Sequence, residues 1–363
     1  MGKKIRVGVV GVGNCFAGLF EGIHYYKEHP ERIVTGVMHE TMAGYSIHDI
    51  EFVSAFDVSK KKVGQPLHKA VCAEPNLVKW VTPPKSDTIV KSSPVLDGVG
   101  IYVKEMVEPI NSRPIEQLRK EILEELRVTK TEIIVSYLPV GSQKATEFWA
   151  EVALDAGCAF VNCIPVFIAS NREWRKRFEQ KNLPIIGDDI KGQVGATIVH
   201  RVLAKLFRDR GVELESTYQL NVGGNTDFKN MLERSRLESK EISKTNSVQS
   251  QLETPLPSGK IHIGPSDYVE FLGNTKIAFI RLNGKQWGDR TMNLELRLDV
   301  DDKSNSGGIA VDAIRAAKIA LDKKIGGAIY SASSYLMKTP PEQYSDDQAR
   351  VIFEDFIAGK RVN

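Results

Sequence analysis

At 363 residues the chain is longer than one hydrophobic core usually organises, so two domains are expected. Lys+Arg 49 against Asp+Glu 46 leaves a net charge of only +3, which excludes the strongly basic footprint of a nucleic-acid or anionic-membrane binder. No stretch is apolar for the length of a bilayer span. The opening MGKKIRVGVVGVGN carries too short and glycine-broken an apolar run to read as a secretory leader. Cys15, Cys72, Cys158 and Cys163 form no CxxC pair and have apolar or small neighbours, the pattern of buried, reduced thiols in a cytoplasmic protein. The seven histidines, among them His39, His48, His200 and His262, have no metal-ligand spacing.

In chain order, IRVGVVG reads as a buried strand, and Phe16, Leu19, Phe20 and Ile23 then repeat at helical spacing. Gly11 and Gly13 fall in the turn between them, where small residues let backbone N–H groups approach a pyrophosphate at a helix N-terminus. The fingerprint is incomplete: Phe16 holds the third glycine position and Gly18 is the next glycine. The strand FVSAFDV ends at Asp57, a residue suited to accept hydrogen bonds from a ribose 2′-hydroxyl. The long spacing from Gly13 requires an insertion containing MHETMAGYSIHDI. Lys60, Lys61 and Lys62 would suit a 2′-phosphate instead. NAD is nevertheless expected over NADP, with Asp57 repelling that phosphate and the lysines on a following helix turned to water.

The apolar runs TEIIVSYLPV, CAFVNCIPV and LPIIGDDI, separated by amphipathic stretches such as QKATEFWAEVALDAG, predict a doubly wound, mostly parallel α/β sheet. Asp188 and Asp189 would close the last of these strands, either at a ligand-binding sheet edge or as a helix N-cap. After residue 195 the pattern changes. The helix GATIVHRVLAKLFRDRG leads to STYQLNVGG, and KIAFIRLNGK and NLELRLDVDD then alternate as an antiparallel sheet with one wet face. Asn221, Asn225, Asp227 and Asn230 surround a glycine pair and form either a plain turn or a site for a polyhydroxylated ligand. In RLESKEISKTNS, Lys240 and Lys244 flank Glu241 at a spacing that by itself describes a solvated helix face. Lys276, Asp302 and Lys338 are, one by one, surface positions.

Ten ordered motifs change that balance: GVGNCFAGL, FVSAFDV, LDGVG, VSYLPVGS, FVNCIPVFIAS, GDDIKGQVGAT, LNVGGNTDF, SKEISKT, HIGPSD and SYLMKTPPE. Together they closely resemble the myo-inositol-1-phosphate synthase family in its shorter prokaryotic type, over nearly the whole length. The resemblance implies a Rossmann-type doubly wound parallel sheet with an inserted α+β catalytic and tetramerisation domain. The corresponding boundaries are 1–195 for the first NAD-binding segment, 196–302 for the insert and 303–363 for a C-terminal segment returning to the NAD-binding domain. It implies a cytoplasmic homotetramer that takes D-glucose 6-phosphate and NAD, with no nucleic acid or membrane as partner. The expected chemistry is C5 oxidation, enolisation, an intramolecular aldol closure and reduction by the retained NADH.

By the same resemblance, Lys240, Lys244, Lys276, Lys338, Asp189 and Asp302 are the catalytic set. Gly11, Gly13, Asn14, Cys15, Asp57, Ser136, Leu138, Pro139 and Asp188 are expected on the cofactor side, and Asn221, Asn225 and Asp227 on the substrate side. Lys240 and Lys338 are expected to move a proton at the C5 oxygen or stabilise the C1 oxygen, and Lys244 and Lys276 to contact phosphate and oxyanion. Two ammonium groups ~6 Å apart at an effective dielectric near 20 repel by about 3 kcal/mol, which favours a neutral amine among the four before phosphate binds. Gly192 stands where many members of the family carry serine, so that hydroxyl's role is not carried over. A divalent or monovalent cation remains an open second cofactor, with no ligand set readable. The rival readings are an NAD(P)-dependent dehydrogenase of a small amino or hydroxy acid with net NADH turnover, and a non-catalytic dinucleotide sensor.

Overall fold

The computed structural model describes residues 3–264, 267–361 and 363. The chain opens with β1 (Ile5–Val10), α1 (Asn14–Glu28), the short pair β2 (Thr41–Met42) and β3 (Tyr45–Ser46), and β4 (Ile50–Asp57). It continues through α2 (Leu67–Ala70), β5 (Val90–Ser92), α3 (Lys104–Val107), α4 (Ile115–Val128), β6 (Ile133–Ser136) and α5 (Gln143–Ala156). Next come β7 (Ala159–Asn162), α6 (Arg172–Gln180) and β8 (Pro184–Ile186). The order of the seven-stranded sheet is β14-β8-β7-β6-β1-β4-β5, where β14 is Gly327–Ala328 from the C-terminal region. Every pairing in it is parallel. Such strands are covered on both faces, which is why IRVGVV and IIVS are apolar runs rather than alternating ones.

The helices that cover the sheet follow from local sequence. In α4 the buried residues Leu118, Ile122 and Leu126 repeat every fourth position. α5 stops where Gly157 takes a left-handed conformation, φ 71°. The MHETMAGYSIHDI insertion contains the β2–β3 pair.

After β8 the chain forms α7 (Ala196–Asp209), β9 (Glu213–Gly223), α8 (Thr226–Asn230) and α9 (Glu238–Gln249). It then forms β10 (Ile261–Ile263), β11 (Asp267–Tyr268), β12 (Thr275–Gln286) and β13 (Arg290–Asp301). β9, β12 and β13 make the expected antiparallel sheet, and Ala278, Ile280 and Leu282 pack under α7 beside Ala196 and Phe207. One expectation needs correcting: β10 and β11 add to β9 in parallel, so the second sheet is mixed. Pro265 and Ser266 of HIGPSD lie outside the described residues.

α10 (Asp302–Asp322) leads from the second sheet back to the first, where its buried face joins the core of α1 and β1. β14, α11 (Tyr330–Leu336) and α12 (Asp346–Ile357) complete the chain.

Candidate active site

Strand order reverses between β1 and β6, and the crevice beyond their carboxyl ends is where open α/β sheets bind ligands. Gly11 sits there with φ +89°, and a side chain on it would put its β-carbon 2.7 Å from the Tyr137 carbonyl oxygen. The Val12 N–H donates to Asp57 Oδ2 at 2.8 Å, while Val58 and Ser59 N–H groups donate to Asp57 Oδ1. Asp57 therefore fixes the turn as well as lining the cavity. Gly13 caps α1 without a side-chain acceptor, and the first turn carries no acidic residue. The N-terminal amides of a 15-residue helix are thus left for an anion.

Gly18 clarifies the incomplete fingerprint. A β-carbon there would meet Lys303 Cβ at 3.0 Å, so this glycine permits the close approach of α1 and α10. Phe16 is instead a fully buried core residue.

The same cavity runs from the glycine turn to a cluster of lysines. Lys338 Nζ donates to Asp189 Oδ1 and to the Ile190 carbonyl, both at 2.7 Å, and the Lys338 backbone N–H donates to the Asp189 carbonyl. Asp189 Oδ2 accepts from Ser243 Oγ at 2.7 Å, and this bond ties α9 to the sheet edge. Lys240 Nζ lies 3.1 Å from Asp227 Oδ2 on α8. Lys276 Nζ lies 3.3 Å from Asp302 Oδ1, and the other oxygen of Asp302 is 3.1 Å from Lys303 Nζ. Among the described residues Lys244 has no carboxylate partner, although it is buried.

These differences set the charges. Burial, together with the ammonium groups of Lys240, Lys276 and Lys338, holds Lys244 well below the usual lysine range despite Asp189. Burial also lowers Lys338, against the pull of Asp189. At Lys240 burial is outweighed by Asp227 and Asp189, which hold it above the usual range. Asp302 is half-buried, yet Lys276 and Lys303 keep its carboxyl far below the usual range. The site therefore combines amines that readily give up a proton with ammonium groups that keep theirs.

All six expected catalytic residues line this one cavity. So do Gly11, Gly13, Asn14, Cys15, Asp57, Leu138 and Pro139, as well as Asn225 and Asp227. Asn225 Oδ1 caps α8, which turns its buried Nδ2 away with no partner among the described residues. Three expected residues are absent from the wall. Ser136 ends β6, fully buried within the sheet. Asp188 lies beneath the surface, where five donors from Asn162, Ile168, Ala169 and Ser170 occupy its carboxylate. Burial pushes that carboxyl up to about 6 even so. Asn221 donates to the Gly264 carbonyl and accepts from Gln219, which takes the place at the wall.

Two further expectations are corrected. Lys60, Lys61 and Lys62 lie in a turn rather than a helix, and Lys62 is buried, donating to the Val12 carbonyl at 2.7 Å and to Asn76 Oδ1 at 3.0 Å. It supports the glycine turn from below. Cys72 is exposed and Cys15 half-buried, so only Cys158 and Cys163 are buried thiols.

Sequence reasoning missed Lys303, Lys191, Gln219 and Asn76 at the wall. Lys303 alone had a signal, its place beside Asp302. Gly192 packs against Asn305, whose Nδ2 would lie 2.9 Å from any β-carbon added there.

Comparison with known proteins points one way. A family profile described as Myo-inositol-1-phosphate synthase matches residues 195–303. The chain is 52% identical over 363 residues to the inositol-3-phosphate synthase of Mycolicibacterium smegmatis, covering 98% of each. It is 50% identical over 362 residues to that of Corynebacterium glutamicum, again covering 98% of each. The solved structure of a myo-inositol-1-phosphate synthase-related protein from Thermotoga maritima superposes with a TM-score of 0.83 at 25% identity, covering 98% of both chains.

Proposed function

The chain belongs to the myo-inositol-1-phosphate synthase family, and from that premise we propose that the cavity between the glycine turn and the lysine cluster converts D-glucose 6-phosphate to 1D-myo-inositol 3-phosphate. The observation that carries this is one continuous cavity lined by both the Gly11–Gly13 turn and Lys240, Lys244, Lys276 and Lys338. The uncapped N-terminus of α1 and the glycine turn fit a dinucleotide. NAD, when bound, supplies the removal of hydride from C5 and its return after ring closure.

The residues of the chain supply binding and proton movement. Five ammonium groups, those of Lys240, Lys244, Lys276, Lys303 and Lys338, stand against three carboxylates, Asp189, Asp227 and Asp302. This preponderance of lysines suits a phosphate dianion. Lys338, lowered by burial and oriented by Asp189, takes the proton of the C5 hydroxyl and returns it at the end. The substrate's phosphate takes the proton lost from C6; Lys240, kept charged by Asp227 and Asp189, gives the C1 oxygen its proton as the C6 carbon attacks the aldehyde and regains one from the phosphate. Lys244 and Lys276 hold phosphate and enolate oxygen, and Lys244 becomes charged as the dianion arrives.

Asp57 bears on the choice of cofactor, since its carboxylate beside the turn disfavours a 2′-phosphate. Among the described residues no group of three His, Cys, Asp or Glu side chains stands ready to hold a metal. The division into residues 1–195, 196–302 and 303–363 accords with the two sheets. A homotetramer built on the second sheet accords with the exposure of Leu220, Phe271, Phe279 and Trp287. Cytoplasmic residence goes with a sugar phosphate substrate, and no helix among the described residues is long and apolar enough to cross a membrane.

Incubation with glucose 6-phosphate and catalytic NAD, followed by phosphorus NMR, is the test. Inositol phosphate should form without net NADH. Net NADH, or no product with and without added cation, would overturn the reading.

A further inference from the structure

Lys303 is where the cofactor-side helix meets the lysine cluster. It is the second residue of α10, lines the cavity and is 2% exposed. Its Nζ lies 3.4 Å from Cys15 Sγ in the first turn of α1 and 3.1 Å from Asp302 Oδ2. Asp302 in turn reaches Lys276 through its other oxygen. The stem of Lys303 rests on Gly18, so the helix that carries the dinucleotide turn holds this ammonium in place.

We propose that Lys303 is a positioning residue for the reaction, seating Asp302 on Lys276 and tying the cofactor-side turn to the sugar-binding lysines through Cys15. A carboxylate held by one buried lysine can rotate toward it, whereas one bridged by two has a single orientation that serves both. Lys303 also adds a positive charge to the lysine cluster. Burial alone would discharge it, but Cys15, Asp302 and Asp227 outweigh burial and keep it protonated. The inference rests on the reading that the Lys276–Asp302 pair belongs to the active site. Asp302 is faced by Lys276 from β12, Lys240 from α9, Asp227 from α8, and Lys303 on its own helix, which also meets Cys15 from α1.

The test compares full-length wild type with Lys303→Met and Lys303→Arg. Three readouts are used: kcat and KM against pH, NAD binding by calorimetry, and the pH profile of iodoacetamide labelling at Cys15. Mass spectrometry separates Cys15 from exposed Cys72. Loss of a neighbouring ammonium raises the pKa of both Asp302 and Cys15. In Lys303→Met the Cys15 labelling profile should therefore move to higher pH by about one unit. kcat should fall at least about tenfold while NAD binding changes little, and Lys303→Arg should recover most of kcat. Wild-type kcat in Lys303→Met would overturn the proposal, as would equal losses in both variants with an unmoved Cys15 profile. If Lys303→Met does not fold, Lys303→Gln takes its place under the same criteria. Cys15 labelling needs no turnover, so it reports on Lys303 even if the wild type makes no inositol phosphate; that result would instead sink the functional reading.

Discussion

Lys240 and Lys244 stand one turn apart on α9, and their surroundings drive them in opposite directions: Lys240 is held above the usual lysine range beside Asp227, and Lys244 well below it. Two identical side chains on one helix face thus hold their protons with opposite bias, and each leads to its own experiment.

Lys240→Ala should lower kcat by about 10²–10⁴-fold, the range for loss of a group that stabilises charge or moves a proton at the reacting atom. Steady-state kinetics on the folded variant checks it. Wild-type turnover would remove Lys240 from the chemistry.

Binding of glucose 6-phosphate should be accompanied by proton uptake, because the dianion favours the charged form of Lys244 that burial and three ammonium groups disfavour. Calorimetry in two buffers of different ionisation enthalpy measures that uptake. In Lys244→Met it should disappear and KM should rise.

Asp188→Asn should act on stability rather than chemistry. The amide keeps one acceptor oxygen, yet five donors converge on the native carboxylate. A loss of about 1–3 kcal/mol follows from the donors left unpaired. Denaturant unfolding should show it, with kcat per folded enzyme unchanged.

At Gly192 a serine must displace the Asn305 amide, which both donates to and accepts from the Val194 backbone. Gly192→Ser should destabilise by about 1–3 kcal/mol through crowding. Combining it with Asn305→Ala should remove most of that cost, a coupling that a double-mutant cycle resolves.

Asp57→Ala removes the acceptor of three backbone N–H groups at the glycine turn. NAD affinity should fall about 10–100-fold, from charge-assisted bonds of about 1.5–3 kcal/mol. The preference over NADP should shrink as the negative charge goes. Titration with both nucleotides decides it.

The alternation of elements could be read directly from the chain, because period and punctuation are local: Leu118, Ile122 and Leu126 mark one face of α4, and Gly157 marks the end of α5. The pairing of β10 and β11 with β9 was not legible, since strand direction in a sheet depends on the route of the intervening chain rather than on its residues. Asp188 and Asp189 make the same point within a site. They are adjacent and chemically identical, but the backbone turns one beneath the sheet edge onto five donors and the other, at φ +61°, onto Lys338 and Ser243.

What the sequence determined by itself was the kind of chemistry: a glycine turn after a strand, an acidic strand end, and lysines whose ordered motifs resemble one family. The tertiary structure decided which of those groups share a cavity and in what charge state. Lys240 and Lys244 look alike in SKEISK, and Lys303 looks like any lysine at a helix start. Their protonation depends on burial and on carboxylates brought from Asp189, Asp227 and Asp302, which are distant in the chain and adjacent only after folding.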